Sequence, residues 1–174
     1  MVVPTEELIP SVDGPGTSPE MDQGLLQQAE ERLESVKAAL ISAVTVAVTF
    51  ALLTTFNQLI ASTIRPLWIL QMQGLNWQGL GSGFIACLAG VVFGINYRYA
   101  VRTDRNSHLG SGVVMAFGTV RGLAQLDVGL MAQGVIWPFV VLAAESVFLF
   151  AIARLVLDFM FQLGWVKRSG LESL

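Results

Sequence analysis

Residues 38–56, AALISAVTVAVTFALLTTF, decide the fold class, because this stretch contains no charged side chain. An apolar run of about 20 residues forms a helix roughly 30 Å long, which matches the hydrocarbon core of a bilayer. Inside lipid, backbone N–H and C=O groups must find partners within the chain, and this favours helices. The stretch therefore predicts a transmembrane helix, whose limits we place at residues 36–60.

The rest of the chain has the same apolar character. Of its 174 residues, 53% are hydrophobic and only 13% are charged, whereas soluble domains carry about 25% charged residues. Three more apolar runs predict spans at residues 79–97, 109–126 and 135–157. The sequence thus predicts an all-α fold, a polytopic transmembrane four-helix bundle over residues 36–168.

Negative charge is concentrated at the N-terminus. Residues 1–18 are polar and broken by proline and glycine, so they predict a disordered acidic tail. The run Ser18-Pro19-Glu20 is typical of a helix start, and residues 19–35 are predicted as a cytoplasmic juxtamembrane helix. Residues 169–174 would form a short C-terminal tail. Eight of the thirteen acidic residues precede the first span: Glu6, Glu7, Asp13, Glu20, Asp22, Glu30, Glu31 and Glu34.

The basic residues beside the spans predict the orientation, since short cytoplasmic loops carry an excess of lysine and arginine. Their number alternates from one connection to the next, as expected for four spans with both termini in the cytoplasm. A three-span chain would place the cluster Arg98, Arg102 and Arg105 on the opposite side of the membrane from Lys167 and Arg168. The residues are Arg32 and Lys37 before span one, Arg65 after it, Arg98, Arg102 and Arg105 after span two, none after span three, and Lys167 and Arg168 after span four.

Two charges sit deep in the predicted spans, Arg121 near the middle of the third and Glu145 near the middle of the fourth. Each costs roughly 2.5–3.5 kcal/mol at the bilayer centre on insertion scales. Neighbouring antiparallel helices would bring them to similar depths, so we predict an intramembrane ion pair that fixes helix packing. One alternative is a proton or ion site at Glu145. Another is an Arg121 side chain that reaches an interface.

Glycines at helical spacing mark candidate packing faces. Gly90 and Gly94 are four residues apart in span two, with Gly83 one heptad earlier, and Gly118 and Gly122 flank Arg121 in span three. Small residues at this spacing let helix backbones approach closely in lipid. We expect contacts within the chain, with contact to another membrane protein as the alternative.

Span one carries a polar stripe, Ser42, Thr45 and Thr49, on one helical face. Such side chains bond to their own backbone or to a neighbouring helix, and a substrate path is the alternative. The single cysteine, Cys87, is read as a small packing residue. No pattern predicts catalytic, cofactor-binding or metal-binding residues, so no cofactor and no enzyme activity are expected. No basic patch interleaved with aromatic residues predicts nucleic-acid binding.

Two stretches carry a resemblance to a known family. Residues 93–102, FGINYRYAVR, and 111–125, SGVVMAFGTVRGLAQ, resemble an uncharacterised family of integral membrane proteins found in cyanobacteria and plant plastids. The similarity covers about residues 35–168 and excludes the acidic tail. It implies a photosynthetic cell and a thylakoid or plasma membrane. It implies no activity and no functional residues.

Two functions follow as hypotheses. The first is a non-enzymatic assembly, stabilising or auxiliary factor of a larger, thylakoid membrane complex, which would meet the lipid bilayer and other membrane proteins through its glycine-rich faces. The second is a small transporter or channel that uses Arg121 and Glu145. Small size and the lack of catalytic motifs favour the first.

Overall fold

Four helices make up the computed structural model of this chain, which confirms the all-α fold. They are α1 (Pro19–Thr63), α2 (Trp77–Ala100), α3 (Ser107–Met131) and α4 (Trp137–Gln162). The structure describes residues 19–63, 77–101, 107–131 and 136–167. The predicted tails at residues 1–18 and 169–174 lie outside the described residues, as do most of the residues that connect the helices.

All four helices are long and apolar enough, by length and composition, to cross a membrane. Their outer faces are apolar as well. On α1, for example, Leu40, Val44, Val48 and Leu52 point outward and are each more than half exposed. Contiguous apolar surface on this scale is a liability in water and suits contact with lipid. The chain is therefore an integral membrane protein.

Contacts between neighbouring helices give the directions of α1 and α2. Gly94 of α2 lies against Ser42 of α1, and Gly83 lies against Phe50. Residue numbers fall along α2 as they rise along α1, so the two helices are antiparallel.

The same reasoning fixes α3 and α4. Gly118 of α3 lies against Val147 of α4, and Gly122 lies against Ala143, so these helices are also antiparallel. Asn57 near the end of α1 bonds to Glu145 in the first half of α4. Glu34, in the first half of α1, accepts from the N–H of Lys167, which follows α4. These two contacts show that α1 and α4 are antiparallel. The bundle therefore alternates in direction from each helix to the next.

α1 is one uninterrupted helix of 45 residues. The predicted juxtamembrane helix and first span are thus a single element, as its polar N-terminal segment suggested. At 1.5 Å per residue α1 is about 68 Å long. The other three helices have 24 to 26 residues, or about 36–39 Å, so α1 extends well beyond them.

α3 continues past its predicted limit at Leu126 to Met131. The reason is tertiary contact. Gly129 lies directly against the ring of Phe139 at the start of α4, so the last turn of α3 is held by packing that its own sequence does not reveal. Helix ends set by a neighbouring element are the least predictable part of a sequence reading.

α4 also runs further than predicted, to Gln162. Its last turn includes Phe161, which is buried. Gly164 then adopts a φ of 72°, and the N–H of Trp165 donates to the carbonyl of Met160 at 3.2 Å. This is a Schellman end, in which glycine takes the left-handed conformation that terminates a helix.

Aromatic side chains form the centre of the core. The ring of Phe93 lies 5.1 Å from that of Phe150 and 5.4 Å from that of Phe117, centroid to centroid. Tyr97 stacks on Phe93 from one side, and Phe161 follows it at 6.3 Å. These rings tie α2, α3 and α4 together along their length.

The helices do not pack uniformly. Within the described residues α1 packs on α2 and α4, and α3 packs chiefly on α4. Contact between α2 and α3 is sparse, and the backbones of α1 and α3 are not in contact in that part of the chain. A side opening therefore remains between α2 and α3.

Candidate functional site

The glycines of α2 lie against α1 of the same chain. A Cβ at Gly94 would lie 2.5 Å from the carbonyl oxygen of Ala38 and 2.8 Å from Cβ of Ser42. A Cβ at Gly90 would lie 3.0 Å from Cβ of Val46. At Gly83 the nearest atom, on the Phe50 ring, would be 3.3 Å away. The closest approach of the two backbones is thus at Gly94, where only glycine fits without displacement.

The glycines of α3 make the equivalent contact with α4. A Cβ at Gly118 would lie 2.7 Å from Cα of Val147. A Cβ at Gly122 would lie 3.1 Å from Cα of Ala143. All five glycines singled out in the sequence therefore lie at helix–helix contacts inside the bundle.

Arg98, near the end of α2, is the largest fully buried side chain, with 1% of its surface exposed. Its Nε–H donates to the carbonyl of Lys167 at 2.9 Å. Its Nη1 donates to Oγ of Ser35 at 2.6 Å and to the carbonyl of Glu31 at 3.0 Å. Its Nη2 pairs with the Glu31 carboxylate at 2.9 Å. One guanidinium thus joins α1, α2 and the segment after α4.

Glu34 adds to this junction, which we call the Arg98 junction (Glu31, Glu34, Ser35, Arg98 and Lys167). One of its carboxylate oxygens accepts from Lys37 Nζ at 2.7 Å, and the other accepts from the backbone N–H of Lys167 at 2.9 Å. The sequence placed Arg98 among the loop cations that set orientation and missed its burial. The available signal was the pair Glu31 and Ser35, one turn apart on α1.

A second polar cluster, also missed in the sequence, joins α2, α3 and α4. The hydroxyl of Tyr97 donates to Asp158 at 2.7 Å. Arg154 pairs with the same carboxylate at 3.5 Å and donates to Oγ of Ser111 at 2.7 Å. Gly110 leaves room for the Tyr97 hydroxyl, since a Cβ at position 110 would lie 3.0 Å from the Tyr97 oxygen. The i, i+4 spacing of Arg154 and Asp158 was the signal in the sequence.

A third group lies in the other half of the bundle, where α1, α3 and α4 meet. Nδ2 of Asn57 donates to Glu145 at 3.0 Å, and Asn57 is 4% exposed. The hydroxyl of Ser146 donates to Oε1 of Gln125 at 2.7 Å. Buried polar groups in lipid find partners across helices, and these two bonds follow that rule.

Arg121 and Glu145 line the same small cavity, but they are not in direct contact. Among the described residues no hydrogen bond or ion pair involves Arg121, and Glu145 is bonded to Asn57 instead. The cavity measures about 10 Å³, close to the least volume that holds one water. The direct salt bridge is therefore absent from the described part of the chain, and a water-bridged link stays a prediction.

The polar stripe of α1 divides into two kinds of group. The hydroxyl of Thr45 donates to the carbonyl of Ile41 at 2.8 Å, as expected for threonine inside a membrane helix. Oγ of Ser42 is buried and has no hydrogen-bond partner within the described residues, and Ser42 lies against Gly94 of α2. The stripe thus serves the α1–α2 contact.

A cleft occupies the side opening between α2 and α3. Its volume is about 700 Å³, and α4 forms its floor with Phe139 and Phe150. Its walls are apolar apart from Ser82, Arg121 and Gln125 among the described residues. No group of three or more His, Cys, Asp or Glu side chains within the described ranges could hold a metal ion.

The candidate site therefore has three parts: the Arg98 junction, Arg121, which has no bonded partner among the described residues, and the cleft that Arg121 lines. The resemblance of residues 93–102 and 111–125 to a membrane-protein family stays a prediction. Comparison of the chain with protein-family models, with curated proteins and with solved structures finds no match.

Proposed function

We propose that this chain is a non-enzymatic integral membrane protein that assembles, stabilises or assists a larger membrane complex. One observation carries the proposal. The N-terminal part of α1, residues 19–34, continues the membrane helix beyond the ends of its neighbours. We call this segment the arm. At 1.5 Å per residue the arm is about 24 Å long, enough to reach a partner outside the bilayer.

The arm is held firmly at its base. Glu31 and Ser35 are bonded to the buried Arg98, so the direction of the arm is tied to the bundle. Further out, Leu25 and Leu26 are 58% and 66% exposed. Exposed leucines on a fixed helix outside the lipid are typical of a surface that a partner protein covers.

The transporter alternative has less support. A path through the bundle would need polar side chains that face an open cavity. Around Glu145, the side chains of Asn57, Ser146 and Gln125 are bonded to other polar groups, and the cavity there has room for about one water. The shared lining of Arg121 and Glu145 is the one feature that favours transport.

Native gel electrophoresis in mild detergent tests the proposal. The chain should migrate with a larger assembly, and replacing Leu25 and Leu26 together with serine should release it. The matched control replaces Gln27 and Gln28, which are exposed on the same arm, with serine and should leave migration unchanged. Migration as a homo-oligomer alone would contradict the proposal and favour the transporter.

We also propose a cyanobacterial thylakoid or plasma membrane, on the resemblance noted above, with both termini on the cytoplasmic side. In a Cys87→Ser background, single cysteines at Thr103 and Ser169 should react with an impermeant reagent from that side. Cysteines at Gly74 and Gln133 should not. Labelling of Gln133 and Ser169 from one side would contradict the four-span topology.

A further inference from the structure

We propose that the cleft between α2 and α3 binds a long-chain carboxylate, a free fatty acid, whose carboxylate pairs with Arg121. The proposal does not depend on membership of a larger complex. It rests on the size of the cleft, its length along the bilayer and the charge in its wall.

The cleft has the size and lining of a small-molecule site. Its volume of about 700 Å³ lies inside the range of about 300–1,000 Å³ common for such sites. Ala89 and Val92 form one wall, Ala116 and Val120 the other, and the ring of Phe150 lies in the floor. Small side chains in both walls leave a slot for a narrow apolar ligand.

The length of the cleft favours an acyl chain over a transmembrane helix. Along α2 its lining runs from Ser82 to Val92, which corresponds to about 15 Å of helix. A transmembrane partner needs a groove along the whole hydrocarbon core of about 30 Å. Along α3 the lining runs from Ala116 to Val128 with Arg121 between them, so the cleft would hold the carboxylate and the first part of an acyl chain, and the rest of the chain would continue into the lipid.

The charge in the wall selects the headgroup. Arg121 lines the cleft and makes no hydrogen bond or ion pair with any described residue, while the nearby Glu145 is bonded to Asn57. An unpaired cation is unfavourable in lipid, and a guanidinium matches a carboxylate with two parallel hydrogen bonds. An anionic ligand would therefore supply the ion-pair partner that Arg121 does not find among the described residues.

Gln125 adds a second donor. It lies one turn beyond Arg121 in the same wall. Because its Oε1 accepts from Ser146, its NH₂ group is left to donate to the ligand.

The depth of Arg121 favours a carboxylate over a phospholipid headgroup. Arg121 is ten residues before the end of α3 at Met131, or about 15 Å along the helix. A phosphate headgroup stays at the interface. A carboxylic acid is small and enters lipid as the neutral acid, then loses its proton beside the cation. The structure thus favours one acyl chain with a carboxylate at its end.

Photo-crosslinking tests the site directly. The full chain, in nanodiscs of phosphatidylcholine, is exposed to palmitic acid with a diazirine on its acyl chain, and the labelled peptides are mapped by mass spectrometry. We expect label on α2 and α3 beside the cleft, displaced by palmitate but not by methyl palmitate, which lacks the charge. Equal displacement by the ester, displacement by phosphatidylglycerol instead of palmitate, or label spread over all four helices would overturn the proposal.

Variants sharpen the result. Arg121→Gln should lower labelling at least tenfold, and Ala116→Phe should block the cleft. The matched control is Ala144→Phe, since Ala144 is also exposed but lies on α4 and outside the cleft lining. Unchanged labelling of Arg121→Gln would contradict the proposal. If that variant does not fold, the competition between palmitate and its methyl ester on the unaltered chain decides.

Discussion

Arg98 and Arg121 are both arginines on membrane helices, yet the bundle treats them in opposite ways. Arg98 is 1% exposed and donates to Glu31, Ser35 and the Lys167 carbonyl. Arg121 is only partly buried and makes no such bond within the described residues. Arg98 thus joins three segments of the chain, whereas Arg121 is left facing a cleft.

The difference shows two ways in which a charge is retained in an apolar protein. A buried cation is tolerated when hydrogen bonds replace its lost hydration, and it then becomes part of the structure. A cation without internal partners lowers the stability of the folded protein in the membrane, and in membrane segments such residues mark functional sites by default. Each prediction below changes one side of this contrast.

Arg98→Gln should have the largest effect. It removes the ion pair with Glu31 and the bonds to Ser35 and to the Lys167 carbonyl, and a hydrogen bond from a charged group contributes about 1.5–3 kcal/mol. Unfolding by sodium dodecyl sulfate in mixed micelles measures the free energy. Arg32→Gln is the control, because Arg32 is an exposed arginine on α1, next to Glu31 of the junction, and its loss should change stability by less than about 0.5 kcal/mol. Similar losses in both variants would refute the role of the Arg98 junction.

Gly94→Ala should have the next largest effect on the free energy of unfolding, because it forces a methyl group into the contact between α2 and α1, one turn before Arg98. The added Cβ would lie 2.5 Å from the Ala38 carbonyl oxygen, and overpacking of this kind costs about 1–3 kcal/mol. Gly81→Ala on the same helix meets nothing within 4 Å and should be neutral or stabilise by up to about 1 kcal/mol. The same unfolding titration compares the two variants. Equal changes in the free energy of unfolding would mean that α1 and α2 pack less closely at Gly94 than the structure shows.

The sequence predicted four spans and the glycine contacts well, since both depend on local composition and spacing. Residues 38–56 carry no charge, and Gly90 and Gly94 are one turn apart, whatever the neighbours are. The C-terminal end of α3 lies five residues beyond the predicted span limit at Leu126, where Gly129 packs against Phe139 of another helix. Tertiary contact of this kind is invisible along the chain.

The charged residues were harder to predict for a physical reason. A terminal cation such as Arg98 reads as an exposed interfacial charge unless the distant Glu31 and Lys167 are known to converge on it. Glu145 was paired with Arg121 by depth alone, but Asn57, 88 residues away in sequence, lies closer. Partner choice depends on helix rotation, which composition does not fix.

A double-mutant cycle measures that partner choice. The coupling free energy between Asn57→Leu and Glu145→Gln should be about 1 kcal/mol, as for a typical buried hydrogen bond. The coupling between Arg121→Leu and Glu145→Gln should fall within about 0.5 kcal/mol of zero. A larger coupling for the second pair would mean that Arg121 and Glu145 are linked, through water or directly, and the contrast between the two arginines would weaken.

Arg121→Leu should have the smallest effect on stability. No internal bond is lost, and an unpaired charge is removed from apolar surroundings, so the free energy of unfolding should rise or change by less than about 1 kcal/mol. The same micelle titration gives the value. A loss near that of Arg98→Gln would show that Arg121 has a structural partner.

Side-chain NMR of the ¹⁵N-arginine-labelled chain in nanodiscs tests the contrast most directly. Arg98→Lys and Arg121→Lys assign the two Nε–H signals. The Arg98 signal should exchange slowly with solvent, since its Nε–H donates to the Lys167 carbonyl at 2.9 Å, and it should not move when palmitate is added. The Arg121 signal should shift with palmitate in a saturable way and stay unchanged with the methyl ester. A shift of Arg98, or an Arg121 signal that is protected beforehand and unaffected by palmitate, would contradict the account.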